Sequence, residues 1–263
     1  MSVNSYLADL SSTLVLSQDE QNKISTSIAN LNSKLKSYFQ KEISEQFKFG
    51  SMIRGTILPR KADEGSDVDY MIVFGSSTEK LKPQTYLNKL KTFVEKSYSS
   101  SEVHQSTPTI ILELTHIKFD LVPALSQYGA IYQIPSLASS WQDWISTNPT
   151  ESDERLTNAN KSNNNQIKPL VRLAKYWNAL NGRHFASFSL EEFICNMGFY
   201  GCTSIKDYFF KFWENFSCDY NTAQYIKDKV QRGKDRIQKI KNFENNGQTV
   251  AAENEMIGML PKV

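Results

Sequence analysis

Apolar positions recur at steps of three and four through Ile24, Ile28, Leu31, Leu35, Tyr38 or Phe39 and Ile43, directly after Ser17 and Glu20, which have capping-box spacing. The pattern predicts a long amphipathic helix with one buried face. Beyond Gly50 the period changes: DVDYMIVF and IKFDLVPAL are short runs rich in Val, Ile and Phe, bounded by Gly, Ser and Pro, which is a strand signature. Between them TYLNKLKTFVEKSY predicts a helix, and TPTIILELTHIKFDLV a strand, a tight turn and a second strand. From about Pro135 the strand signal ends, and SWQDWIST, QIKPLVRLAKYWNAL, SLEEFICNMGFYG, IKDYFFKFWENFS and YIKDKVQRGKDRIQKIKNF all suit helices. The expected fold is α+β: a mixed sheet with a long N-terminal helix over residues 1–145, packed against a C-terminal helical lobe over 146–263. Near the joint, ESDERLTNANKSNNNQ reads as a flexible loop or, through Leu156 and Ala159, as a helix entering the second lobe.

Composition narrows the function classes. With 30 Lys and Arg against 28 Asp and Glu, the net charge of +2 supplies no global field for holding long nucleic acid. An anionic ligand must be bound locally. The three cysteines, Cys195, Cys202 and Cys218, have no C-x-x-C spacing, and His104, His116 and His184 have no metal-ligand spacing, so neither a disulfide framework nor zinc is expected. The N-terminal stretch lacks a basic start followed by an apolar core, and no later segment has the unbroken apolar length of a membrane span. A soluble cytoplasmic protein is the expectation.

The chemistry is concentrated in FGSMIRGTILPRKADEGSDVDYMIVF. Side chains alternate across a strand, so Asp67 and Asp69 project from one face with Val68 on the other. In the later strand Asp120 likewise points away from Phe119 and Leu121. If the two strands are neighbours, three carboxylates converge. Their mutual repulsion is tolerable where a divalent cation binds together with substrate phosphates. Two such ions, about 4 Å apart, can activate an attacking hydroxyl and neutralise departing pyrophosphate. Upstream, Gly50 lets backbone approach a ligand closely and Ser51 offers a hydroxyl and an amide. No G-x-x-x-x-G-K-[ST] is present, so P-loop hydrolysis is not supported.

The order Gly50-Ser51, Asp67-Val68-Asp69, then Asp120 resembles the signature of the DNA polymerase β-like nucleotidyltransferases. Within that superfamily the chain is most similar to the bacterial CD-NTases, relatives of cyclic GMP-AMP synthase and oligoadenylate synthetase. Besides the two aspartate segments, NANKSNNNQIKPLVRLAKYWN and FASFSLEEFI carry the resemblance, and AENEMIGMLPKV adds weakly to it. The resemblance implies that Asp67, Asp69 and Asp120 hold two Mg²⁺ ions, with Mn²⁺ as an alternative, and that Asp120 draws a proton from the acceptor hydroxyl. It also implies that Gly50, Ser51, Lys175 and Ser187 contact the donor triphosphate, that Phe188 stacks on a base, and that Arg54 reaches the acceptor nucleotide, with nucleotides bound in the cleft between lobes. The implied reaction joins NTPs, ATP among them, into a cyclic di- or trinucleotide with release of pyrophosphate. That product would activate a separate effector protein in antiphage defence. The alternatives are another transferase of the superfamily, acting on RNA, protein or a small molecule, and a catalytically silent nucleotide-binding regulator.

On the residues alone, Lys175 reads as a solvated helix lysine, Phe188 as core, and Ser187 or Ser189 as an N-cap, Ser189 with Glu192 having capping-box spacing. Phe209, Phe212, Trp213, Phe216 and Tyr220 recur at helical spacing and read as a packed face. The basic run from Lys227 to Lys241, interrupted by Asp228 and Asp235, reads as a solvated helix or as a contact for a polyanion or a regulatory protein partner. Without zinc, the insertion through which animal cyclic GMP-AMP synthase holds DNA is not expected, and a long DNA activator is not expected either.

Overall fold

The computed structural model describes residues 2–75, 80–99, 101–106, 108–136 and 144–263. In chain order, helices α1 (Val3–Thr13) and α2 (Gln18–Phe39) precede strand β1 (Ile43–Lys48), the single helical turn α3 (Ser51–Arg54) and strand β2 (Asp67–Phe74). Helix α4 (Pro83–Ser97) leads into β3 (Glu102–Ser106), β4 (Thr109–Leu114), β5 (Ile117–Ser126), β6 (Tyr132–Pro135) and β7 (Trp144–Thr147). Six helices follow: α5 (Pro149–Ser162), α6 (Ile167–Leu180), α7 (Ser187–Cys195), α8 (Ile205–Asn215), α9 (Gln224–Asn245) and α10 (Thr249–Met259). The chain divides into a sheet unit, Ser17–Arg60 with Gly65–Glu154, and a helical unit, Met1–Leu16 with Lys61–Glu64 and Arg155–Val263. The start of the chain thus groups with the C-terminal helices, which a contiguous division at 145 and 146 does not express.

In the sheet unit the strand order is β1-β2-β5-β4-β3, with β6 beside β5 and β7 beside β6. Strands β2 and β5 run parallel, and the other pairings are antiparallel. Alternation sends Val68, Tyr70, Ile72 and Phe74 to one face, where all four are buried. Rings from α2 and α4 meet them there: Phe39 lies 5.4 Å from Phe74, and Phe74 lies 4.9 Å from Tyr86, between ring centroids. The opposite face buries Met71, Val73 and Ala124 against Phe47, Phe49, Tyr132 and Ile134. Asp67 and Asp69 continue the row of Met71 and Val73, while Lys118 and Asp120 continue that of Val122 and Ala124. One face of one sheet is therefore apolar along part of its length and charged along the rest.

The capping box that starts α2 is formed, with Ser17 and Glu20 each bonding the other's backbone amide. Periodicity overreaches at the other end: α2 stops at Phe39, and Ile43 opens β1 after Gln40 turns the chain at a φ of 49°. The expected helix in SWQDWIST is corrected in its described part, since Trp144–Thr147 is a strand paired with β6, Ile134 facing Ile145 and Pro135 facing Trp144. Ser140 to Asp143 lie outside the described residues. Four residues are too few to distinguish a period of 2 from one of 3.6, and pairing with β6 decides the conformation. The ambiguous polar run ESDERLTNANKS is helix α5, which buries Leu156.

In the helical unit, α1, α6 and the residues that follow α10 are joined by long-range bonds. The Tyr6 hydroxyl donates to the Leu260 carbonyl at 2.6 Å, Tyr176 to the Pro261 carbonyl at 3.1 Å, and Arg172 Nε to the Ser11 carbonyl at 3.3 Å. Phe209, Phe212, Trp213 and Phe216 are buried, whereas Tyr220 is exposed beyond the end of α8. The Trp213 ring packs directly on the backbone of α9 at Gly233, where an added Cβ would come within 2.3 Å of it. Among the described residues no helix is long and apolar enough to cross a membrane.

Replacing a helix-interior glycine by alanine ordinarily gains about 0.5–1 kcal/mol in helix propensity. At Gly233 the collision with a buried ring outweighs that gain, because overpacking costs about 1–3 kcal/mol. Gly233→Ala is expected to lower the urea midpoint, and an unchanged or raised midpoint would refute this account of the α8 and α9 contact.

Candidate active site

The parallel register of β2 and β5 sets Asp67 opposite Lys118 and Asp69 opposite Asp120. Three carboxylates and one ammonium therefore occupy two adjacent rows on the same face. Lys118 Nζ lies 3.1 Å from Asp67 Oδ2 and 3.8 Å from Asp120 Oδ1. Burial works to lower the Lys118 pKa, but Asp67 and then Asp120 outweigh it and hold the ammonium charged. For Asp120 the balance goes the other way. Burial first, and the charge of Asp67 next, push its carboxyl up to about 6 despite the neighbouring lysine. Its Oδ1 is buried and has no hydrogen-bond partner among the described residues.

Gly50 is the hinge between β1 and the turn α3. Its φ of 70° and ψ of −149° belong to a region that is essentially glycine's alone. A Cβ there would meet Asp69 Oδ2 at 1.9 Å and the Asp69 Cβ at 3.1 Å, so bare backbone is what gives the carboxylate its place. The Phe49 amide donates to the Asp69 carbonyl at 3.0 Å, tying the approach to Gly50 to the same strand. Ser51 then opens α3, and its carbonyl accepts from the Thr56 and Ile57 amides at 3.0 and 3.1 Å. Arg54 is buried, and its guanidinium is 3.3 Å from Asp153 Oδ1.

Lys175, Ser187 and Phe188 belong to the helical unit. Lys175 is not the solvated lysine that its residue type suggests: it is 6% exposed, and its Nζ is 3.4 Å from Glu191 Oε1, itself buried. Ser187 is the first residue of α7 and is exposed; the N-cap is Ala186, which has no side-chain cap bond. The capping box expected of Ser189 and Glu192 does not form, and Glu192 pairs instead with Arg155. Phe188 is 49% exposed, which corrects the core reading of that ring. Asn178 fixes the loop ahead of Ser187, donating to the Phe185 carbonyl at 2.7 Å and accepting from the Phe185 amide at 3.1 Å. Much of the basic run on α9 is paired within the unit, Lys241 with Glu214 at 2.6 Å and Lys239 with Glu255 at 2.8 Å.

Sequence reasoning missed Lys118, Asn178 and Glu191. Lys118 was the most accessible of the three, since it shares the alternation that places Asp120. Buried partners of α6 leave no comparable trace in spacing.

The donor set suits a hard divalent cation, because carboxylate oxygens on two neighbouring strands include one buried oxygen that lacks a hydrogen-bond partner among the described residues. Among the described residues, no group of three or more His, Cys, Asp or Glu side chains is gathered closely enough to hold a metal ion by itself. Partial protein coordination is what Mg²⁺ uses when substrate phosphates supply further oxygens.

The model of the Second Messenger Oligonucleotide or Dinucleotide Synthetase domain matches residues 1–160. The chain is 28% identical over 187 residues to the cyclic AMP-AMP-AMP synthase of Acinetobacter sp. (strain ATCC 27244 / 9458), a match covering 69% of this chain and 53% of that protein. It spans about half or less of the length of the curated relatives it matches. Among solved structures it resembles the Escherichia coli MS115-1 CdnC:HORMA-deltaN complex, with a TM-score of 0.71 and 16% identity over 97% of this chain and 96% of that one. It also resembles Vibrio cholerae DncV in its 3'-deoxy GTP bound form, with a TM-score of 0.77 and 11% identity over 96% and 93% of the two chains. These structures share the α+β fold, including the long N-terminal helix, the mixed sheet and the C-terminal helices.

Two outcomes follow from the geometry. Gly50→Ala forces φ strain or a rotation of Asp69, and is expected to lower unfolding free energy by about 1–3 kcal/mol in urea titrations. A variant as stable as the parent would show that Asp69 does not depend on the bare backbone. For Asp120, unfolding restores an ordinary carboxylate pKa, so between roughly pH 4 and pH 6 the folded chain binds more protons than the unfolded one. Stability of the metal-free protein therefore falls as pH rises through that window and levels off above it. Asp120→Asn is expected to flatten the fall and to be more stable than the parent above the window by on the order of 2–3 kcal/mol. Equal pH slopes in EDTA would refute the assignment.

Proposed function

The chain belongs to the Second Messenger Oligonucleotide or Dinucleotide Synthetase family, and on that premise we propose that it joins NTPs into a cyclic di- or trinucleotide second messenger with release of pyrophosphate. The observation that carries this reading is the β2 and β5 register, with Asp69 opposite Asp120 and Asp67 one step along the same face. Such an arrangement suits nucleotidyl transfer, where catalysis is largely positioning and charge neutralisation.

Asp67, Asp69 and Asp120 would hold Mg²⁺ or Mn²⁺, which when bound would polarise the donor phosphate and offset charge on the leaving pyrophosphate. Asp120 Oδ1, without a hydrogen-bond partner among the described residues, accepts the proton of the attacking ribose hydroxyl. Gly50 and Ser51 present backbone and hydroxyl to the donor triphosphate. Arg54, paired with Asp153, holds the turn that carries Ser51 and lies one helical turn from it.

In the helical unit, the same reading gives Lys175 and Ser187 to phosphate contact and Phe188 to stacking on a base, for which its exposed ring is suited. Lys175 reaches phosphate by exchanging the Glu191 carboxylate for a phosphate oxygen. The product would act on a separate effector in antiphage defence. A regulatory protein partner is part of the proposal, since the related Escherichia coli CdnC was solved in complex with a HORMA protein.

Purified protein incubated with all four NTPs and Mg²⁺, without added acceptor, is expected to yield phosphatase-resistant nucleotide products by mass spectrometry. The Asp67→Asn, Asp69→Asn double variant is expected to lose at least about a thousandfold in rate, the scale of electrostatic stabilisation in such sites. Transfer seen only with an added RNA, protein or small-molecule acceptor would replace the cyclase reading with one of the other transferases. Products undiminished in the double variant would remove the aspartates from the chemistry.

A further inference from the structure

Lys118 has no place in the reaction described above, yet it stands at the centre of the acidic face. Its ammonium is 3.1 Å from Asp67 Oδ2 and 3.8 Å from Asp120 Oδ1, so it bridges one carboxylate from each strand. The side chain is only 20% exposed, and a position this confined lets little water screen the charges. Glu113, its cross-strand neighbour on β4, is engaged by Arg60 at 2.8 Å. The lysine therefore has a nearby acidic alternative and is turned toward the aspartates instead.

We propose that Lys118 is a tethered counter-cation which holds Asp67 and Asp120 together in the metal-free protein and which an incoming divalent ion must displace from at least one of them. The inference rests on the reading of the aspartates as metal ligands and adds to it a competitor encoded in the same strand. Two carboxylates this close repel, and a cation between them removes the repulsion. A divalent ion at the same oxygens would face a unit positive charge about 4 Å away, which is strongly unfavourable where water is partly excluded. Lys118 swings clear when metal arrives, and its length of four methylenes allows that without backbone movement. The lysine thus keeps the site assembled while no metal is bound and sets a threshold concentration for metal loading.

The test uses Mn²⁺ without nucleotide, followed by electron paramagnetic resonance, on the parent chain, Lys118→Met and Asp67→Asn. Lys118→Met is expected to bind Mn²⁺ about tenfold tighter than the parent, because the competing charge is gone. It is also expected to melt at lower temperature in EDTA and to recover when Mn²⁺ is added in excess. Unchanged or weakened Mn²⁺ affinity in Lys118→Met, with binding still lost in Asp67→Asn, overturns the role of Lys118 and leaves the metal reading standing. Absence of binding to the parent and to Lys118→Met alike overturns both. Should Lys118→Met fail to fold, the parent chain decides: amine acylation read by mass spectrometry is expected to rise at Lys118 when Mn²⁺ is added. Labelling that stays level or falls overturns the inference.

Discussion

Two parallel strands carrying carboxylates in register create a concentration of negative charge that neither strand could create alone. Everything distinctive in the sheet unit answers to that constraint. The same alternation that brings Asp67 and Asp69 to one face sends Val68, Tyr70, Ile72 and Phe74 under α2 and α4, so burial on one face fixes which residues appear on the other. A slip of one residue would put the aspartates in the core and tyrosine at the site. The hydrophobic face is thus the device that sets the acidic face, and the long helix α2 packs on the hydrophobic one through Phe39.

The balance between burial and charge falls differently at Asp120 and at Lys118. Asp120 feels burial and Asp67 more strongly than it feels Lys118, and its affinity for a proton rises. Lys118, surrounded by acids, stays charged in spite of burial. Both pKa values are raised, and the effect on charge is opposite, favouring a protonated carboxyl at Asp120 and a charged ammonium at Lys118. In the helical unit a different solution operates, where Lys175 and Glu191 are buried as a pair and neither faces solvent alone.

Much of this was legible in the chain. The period of α2, its capping box, the two strands IIL and IKFDLV with their turn, and the spacing of Asp67 and Asp69 all express local rules, and the structure follows them. What was hidden depends on contacts between distant residues. The four residues of β7 are strand because β6 lies beside them, and Ile43 leaves the helical series because β1 pairs with β2. At the site, the row of carboxylates could be read from alternation, but the parallel neighbour that brings Asp120 opposite Asp69 could only be assumed. Burial of Lys175 depends on α7 supplying Glu191, which spacing within α6 does not encode.

Gly50 bears on Asp69 by touch rather than by charge. Asp69 Oδ2 occupies the space that a Cβ at Gly50 would take, so the turn and the carboxylate are spaced by hard contact. Hard contact is indifferent to ionic strength and to protonation, unlike the ion pairs that Lys118 makes at this face. The spacing between the Gly50 turn and the acidic row is therefore set like a fixed ruler, by a contact that salt or acid acting on the ion pairs does not touch.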